Sequence, residues 1–321
     1  MCGRRAEPFP CALPPLLTAR VRPATLLRYQ QIVHRFVTWF ATVGVYAIGA
    51  ALTEEDLDTA LLYYAHSGAV RRAEFGQLIS AVRFFLPRVA SLAMAFQAHR
   101  GWVFTHRPTH KVPLLWVFSL ALAQAAVQFG EPRIAASFLV QFGAFLRPGE
   151  LLNLRAEECT LPENSPAFAG KPSCTLLLGD ARYGTKVNRR QVARLSNPWS
   201  VAALRFLLAT RPASQALVLG CTSTQYRTAL QRAAKRLGLT FAVSPHCFRA
   251  GAATQAKLDG LAVPSIMERG RWASEQSLTV YLDIAMALAS QTLHAADRYL
   301  PLLAAPWQVG PIFRGTIDRV Q

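Results

Sequence analysis

Ser244-Pro245-His246-Cys247-Phe248-Arg249-Ala250-Gly251-Ala252-Ala253-Thr254 is the segment on which the rest of the reading turns. Ser-Pro marks a helix start, where proline's fixed φ fits and its missing N–H costs nothing. His246 and Arg249 stand three residues apart, so the spacing puts both on one side of the first turn. A helix N-terminus carries positive potential, and an arginine there adds to it, which suits an oxyanion or a phosphate. The small residues after Arg249 let another element pass close to the helix.

Three further segments place a charged or reactive group beside an apolar helix pattern. Upstream, Phe145-Leu146-Arg147-Pro148-Gly149-Glu150-Leu151-Leu152-Asn153-Leu154 follows an apolar helix over Ala135 to Phe145. Pro148 opens a new helix at its first position, and Glu150 lies one turn from Arg147. An arginine among apolar neighbours must be paired or must meet an anion. Next, Cys174 to Gly179 and Gln191 to Leu195 read as two short strands joined by a basic turn with Lys186, Arg189 and Arg190. A lone hairpin in a helical domain carries a loop rather than builds a core, and a lysine at its tip can swing into a cleft and protonate a leaving group. Downstream, Gly270-Arg271-Trp272-Ala273-Ser274-Glu275-Gln276-Ser277-Leu278-Thr279-Val280-Tyr281 puts Tyr281 nine residues after Trp272, across a loop and into a helix.

The composition narrows the function classes. The chain has 321 residues with 52% hydrophobic and 17% charged, enough for buried cores and incompatible with global disorder. Thirty-five Lys+Arg against 18 Asp+Glu give a formal charge of +17, with arginine in the majority. Such a balance points to phosphate, hence to nucleic acid first and an anionic membrane surface second. The cysteines at 2, 11, 159, 174, 221 and 247 form no CxxC and no zinc spacing, so they read as reduced thiols inside a cell. Prolines interrupt the N-terminus before a signal-peptide core is reached. Pro113 to Phe129 has nearly the length of a membrane span, but Gln124 and Gln128 interrupt it, and its Ala and Gln spacing suits a buried helix.

Organisation follows from breaks in the pattern. Residues 1 to 22 are Pro- and Arg-rich and expected to be loose. Residues 23 to 105 read as wholly helical, with Thr25 as the cap of a first helix carrying Leu26, Tyr29, Val33, Phe36 and Phe40 on one face. Leu52-Thr53-Glu54-Glu55-Asp56 starts a second helix with acids in its first turn, and Arg72 to Leu86 forms a third. Residues 106 to 113, with two prolines, read as a linker; residues 114 to 304 form a second domain and 305 to 321 a tail. No internal repeat or low-complexity tract is present.

Taken in order, an arginine, a hairpin lysine, HxxR, a tryptophan and a tyrosine nine residues later resemble the catalytic domain of the tyrosine recombinases, the phage-integrase family. The resemblance covers residues 23 to 290. Arg147-Pro148-Gly149-Glu150-Leu151-Leu152-Asn153-Leu154 fits the family's first-arginine segment, and Tyr226 to Leu239 fits the amphipathic helix ahead of HxxR. The resemblance implies a mainly α fold with a small antiparallel hairpin or sheet. It implies a two-domain clamp on double-stranded DNA, made of a helical core-binding domain and a catalytic domain. It implies DNA strand exchange with Tyr281 as nucleophile, Arg147 and Arg249 on the phosphate and Lys186 as general acid. His246 would assist proton transfer, Trp272 would donate its N–H to a phosphate oxygen, and Glu150 would orient Arg147. Arg189 and Arg190 would contact DNA, and either could take the place of Lys186.

No cofactor and no metal are implied. The tail would dock in cis or on a neighbouring subunit of a tetramer on two duplexes, located in the cell where the DNA is. Phe248-Arg249-Ala250-Gly251 departs from the commoner Leu-Arg-His-Thr of the family and leaves fewer donors near the phosphate. Three other readings stay open: a DNA-binding protein that kept the fold without activity, a type IB topoisomerase-like nicking and resealing enzyme, and a basic helical protein that binds membrane or RNA.

Overall fold

Thr53 shows how local sequence sets the N-terminal helices. Its hydroxyl accepts the Asp56 N–H at 3.1 Å while the Asp56 carboxylate takes the Thr53 N–H at 2.9 Å, a reciprocal cap. The computed structural model describes residues 18, 20–43, 53–87, 89, 91–105, 112–164, 173–179, 190–282, 285 and 288–289. They fall into two compact units, divided between residues 105 and 112.

The first unit holds α1 (Pro23–Val43), α2 (Glu54–His66), α3 (Arg72–Phe85) and α4 (Ala93–Thr105). Its core is Ile32, Val33, Phe36, Leu61, Tyr64, Phe75, Leu78, Ile79 and Val82, the face expected from the apolar spacing. Helix α1 starts at Pro23, before the expected cap: the Thr25 N–H is already bonded to the Arg22 carbonyl at 2.9 Å. Asp58 on α2 is buried, and its two oxygens accept the Met94 and Ala95 N–H groups at 2.8 Å each. These donors at the start of α4 have no partner within their own helix, so the carboxylate joins α2 to α4. Arg35 pairs with Glu74 at 3.2 Å and Arg28 donates to Gln77, both tying α1 to α3.

The second unit runs α5 (Trp116–Gln128), α6 (Pro132–Gly143), α7 (Pro148–Leu152), β1 (Cys159–Thr160), β2 (Cys174–Leu178), β3 (Gln191–Leu195), α8 (Pro198–Ala209), α9 (Ser223–Arg236), α10 (His246–Leu258), α11 (Val263–Gly270) and α12 (Glu275–Thr279). The two expected strands pair antiparallel with Cys174 opposite Leu195, and a two-residue β1 adds to β2, making a three-stranded sheet. A strand that short carries no alternation to detect, so the sequence gives no sign of it. Helix α5 is buried on nearly all sides, which explains its unbroken apolar run. Among the described residues no helix is long and apolar enough to cross a membrane.

Helix α6 is the centre of this unit and packs on α5, α8 and α10. Phe138 on α6 stacks on Phe248 of α10 with centroids 5.0 Å apart and meets Tyr226 of α9 edge-on at 5.4 Å. Small residues set the closest approaches. A Cβ on Gly143 would lie 2.4 Å from the Ser200 hydroxyl oxygen on α8. A Cβ on Gly251 would lie 1.7 Å from the Leu114 carbonyl oxygen, in the strand of chain that crosses α10 and donates the Leu114 N–H to the Cys247 carbonyl at 3.1 Å. Gly251 is therefore required by packing: no side chain fits there. Gly251→Ala should lower stability by about 1–3 kcal/mol, the usual cost of forcing atoms into a packed core. Gly101→Ala in α4, where the added Cβ meets nothing within 4 Å, should instead raise it by about 0.5–1 kcal/mol. Urea unfolding of both variants tests this, and equal effects at the two sites would contradict it.

Candidate active site

Arg249 stands one turn into α10, and its side chain is wholly enclosed, at 0% exposure. His246, on the same turn, is exposed. The two do not share a surface as their spacing suggests, because Arg249 turns inward. Its guanidinium donates to the carbonyls of Phe145 and Gly270 and lies 4.2 Å from the centre of the Trp272 ring. The Tyr281 ring is 5.9 Å away on the same cation, and the Trp272 and Tyr281 rings meet at 5.3 Å. An arginine has five N–H donors, and two are used here. The buried Nε has no acceptor among the described residues.

Each acceptor sits at or just past a helix end. Phe145 follows α6 with φ of 53°, a left-handed conformation rare for a residue with a side chain. Its carbonyl accepts from Arg249 and, at 3.4 Å, from Arg271. Gly270 ends α11, and a Cβ there would fall 1.6 Å from Cζ3 of Trp272. The glycine is required so that the indole can lie against the chain and present its face to Arg249.

Arg147 precedes α7, with Pro148 at the first helical position as expected. Glu150 takes the Arg147 N–H at 2.8 Å and Nη1 at 2.6 Å. It also accepts from Nη2 of Arg271 at 2.7 Å. The Arg147 side chain keeps 25% exposure, whereas Arg271 has 5%. Burial pushes the Glu150 carboxyl up, but Arg271 and then the Arg147 N–H and guanidinium outweigh it and hold the group below the usual glutamate range. Burial, followed by the charges of Arg147 and Arg271, weakens the hold of Arg249 on its proton. Guanidinium stays charged even so, which leaves three cations and one carboxylate in one cluster. That arrangement is poised for an anion.

Tyr281 follows α12 rather than lying within it; its carbonyl accepts from Thr254 of α10 at 3.0 Å, which fixes it beside the HxxR helix. Of the residues singled out from sequence, Arg147, Glu150, Arg249, Trp272 and Tyr281 come together. Arg190 is exposed just before β3, and Lys186 and Arg189 lie outside the described residues. Two contributors escaped the sequence reading. Arg271 sits beside Trp272 but had no partner visible by spacing. Gln141 on α6 is fully buried; its amide donates to the carbonyls of Leu146 at 3.2 Å and Pro245 at 2.8 Å, and its oxygen accepts from the Tyr226 hydroxyl at 2.6 Å. It thereby ties together the turns just ahead of Arg147 and His246. A glutamine in the middle of an apolar helix was the available signal. Burial pushes the thiol of Cys159 up to about 12 and those of Cys174 and Cys221 up to about 11, so these three are not thiolates at neutral pH.

This mainly helical fold with its small antiparallel sheet is the catalytic-domain fold of the tyrosine recombinases. The chain is similar to the Tn1549 transposon integrase in complex with transposon right end DNA, at 14% identity and a TM-score of 0.57, over 87% of this chain and 97% of that one. It is similar to the XerH site-specific recombinase bound to palindromic difH substrate, at 15% and 0.56 over 88% and 79%, and to a lambda integrase dimer bound to a COC' core site, at 12% and 0.55 over 84% and 75%. At these identities the likeness is one of fold. No protein-family model and no curated protein matches the sequence.

The Glu150 pairings make a pH prediction. A carboxyl held low in the folded state contributes stability that is complete above its unfolded value, near 4.5, and is lost as pH falls through the folded value. Glu150→Gln should cost roughly 3 kcal/mol at neutral pH, as for breaking a buried ion pair, and should flatten the acid limb of stability. Urea midpoints from neutral pH down to about 3 measure this; an acid limb as steep as the wild type's would show that the pairings do not matter to folding.

Proposed function

We propose that the chain cleaves and rejoins DNA strands as a site-specific recombinase or integrase, through a covalent 3′-phosphotyrosine at Tyr281. The observation that carries this is the convergence of Tyr281, Trp272 and Arg249, with Glu150 joining Arg147 to the same cluster. The Tyr281 oxygen attacks a backbone phosphorus, forming a P–O bond as the bond to the 5′-oxygen breaks. The phenolic proton leaves with help from His246, and the departing 5′-oxygen takes a proton from Lys186, or from Arg189 or Arg190 in the same turn. Phenolate is a good enough leaving group for the reverse attack by a 5′-hydroxyl, so the strand reseals without ATP.

Arg147 and Arg249 hold the non-bridging oxygens, matching their forked geometry and offsetting the charge of the pentacoordinate transition state. Arg249 is enclosed in the free protein, so the phosphate takes the place that the Tyr281 ring holds against the guanidinium, and the ring moves to an in-line position. Trp272 backs Arg249 with its face and offers its indole N–H to a phosphate oxygen. This chemistry uses no cofactor and no metal. The partner is double-stranded DNA, bound mostly through phosphates with Arg189 and Arg190 among the contacts, and the working form is a homo-oligomer on two duplexes.

Duplex DNA from the chain's genomic neighbourhood, nicked beside candidate sites, provides the assay. The wild type should form an adduct that survives denaturation, and Tyr281→Phe should abolish it while leaving salt-sensitive binding intact. Arg147→Ala should cut adduct formation far more than affinity. An adduct that persists in Tyr281→Phe would falsify the assignment. Salt-sensitive binding with no adduct from the wild type would instead favour a DNA-binding protein that kept the fold without the reaction.

A further inference from the structure

Arg271 occupies a backbone position that disfavours it. It closes α11 with φ of 59°, where a residue bearing a Cβ costs roughly 1 kcal/mol and a glycine costs nothing. The adjacent Gly270 cannot serve, since it is held helical beneath the Trp272 ring. An arginine at such a position is compensated by what its side chain does. The guanidinium reaches back to the carbonyls of Ala144 at 3.3 Å and Phe145 at 3.4 Å, and to the Glu150 carboxylate at 2.7 Å.

Those three acceptors bracket the turn that carries Arg147. Glu150 has one oxygen on the Arg147 guanidinium, and the other accepts from both the Arg147 N–H and Arg271. With Arg271 in place the carboxylate has one orientation, and Arg147 inherits it. The Phe145 carbonyl, which holds Arg249, accepts from Arg271 as well. We infer that Arg271 is a positioning residue for the candidate active site, fixing Arg147 through Glu150 and bracing the carbonyl that holds Arg249. Its guanidinium is engaged by Glu150 and by the Ala144 and Phe145 carbonyls, so it acts through Arg147 and Arg249 rather than on the substrate. The catalytic consequence rests on the recombinase reading.

The test compares Arg271→Gly, which removes the side chain and relieves the backbone, with Arg271→Lys, which restores a cation. Measured on the nicked duplex, Arg271→Gly should slow single-turnover adduct formation about 100-fold, the scale of a small misplacement at a reacting centre, with DNA affinity within roughly threefold of wild type. The acid limb of the rate should move to higher pH, because Glu150 loses a cation that opposes its protonation, and Arg271→Lys should move it back and recover part of the rate. The Glu150 carboxyl resonance, followed by carbon NMR, should show the same displacement without any DNA. A folded Arg271→Gly with the wild-type rate, or with a slowed rate but an unmoved acid limb and Glu150 midpoint, overturns the inference and leaves the recombinase reading standing. A wild type that forms no Tyr281-dependent adduct overturns the recombinase reading and the catalytic role with it. Should the glycine variant fail to fold, Arg271→Gln against Arg271→Lys gives the same comparison.

Discussion

A guanidinium sealed inside protein is among the most expensive groups to bury, and the second unit is arranged around one. Among the described residues no carboxylate touches Arg249; its neighbours are two carbonyls and the face of an indole. Carbonyl dipoles and a ring quadrupole offset desolvation without cancelling the charge. A carboxylate in contact would neutralise the cation and compete with any incoming anion. The one carboxylate of the cluster, Glu150, bonds instead to Arg147 and Arg271. Two other features follow from this choice of ligands. Phe145 takes a left-handed backbone to present its carbonyl, and Gly270 lacks a side chain so that Trp272 can lie flat.

Much of this was legible because it is local. Pro148 and Glu150 announced a helix start with a charge pair, the acids Glu54, Glu55 and Asp56 announced another, and the apolar rows of α1 to α3 announced one core. The strand pair over Cys174–Leu178 and Gln191–Leu195 was read from apolar runs bounding a basic turn. The inward turn of Arg249 was not legible. A spacing of three says that two residues share a face, but which of them the neighbouring elements cover is decided by α6 and α11, far away in sequence. Arg271 and Gln141 were missed for the same reason. Their partners lie on other elements, at Glu150 for one and at Pro245 and Tyr226 for the other.

The glycines show where pattern reading misleads. Gly270 looks like the residue that stops α11, since glycine usually takes the left-handed position there. It is helical instead, and Arg271 takes that position. The glycine answers a packing demand from Trp272, and the stop is displaced by one residue onto a side chain with work at Glu150. A sequence presents both demands as the same letter, and only the neighbours in space separate them.

The charge balance of the cluster gives the physical argument its last step. Three guanidinium groups meet one carboxylate, and the buried Nε of Arg249 has no acceptor among the described residues. If the cluster served folding alone, a second carboxylate or an apolar residue at Arg249 would be the cheaper solution, since buried ion pairs seldom outperform apolar packing. Retaining an excess of buried positive charge is costly in the free protein and favourable once a doubly coordinated anion enters. The free energy withheld from folding becomes available for binding, and most of all for a species whose negative charge grows during reaction. A phosphodiester under attack is such a species, and in the proposed reaction the attack comes from Tyr281, whose ring meets this cation.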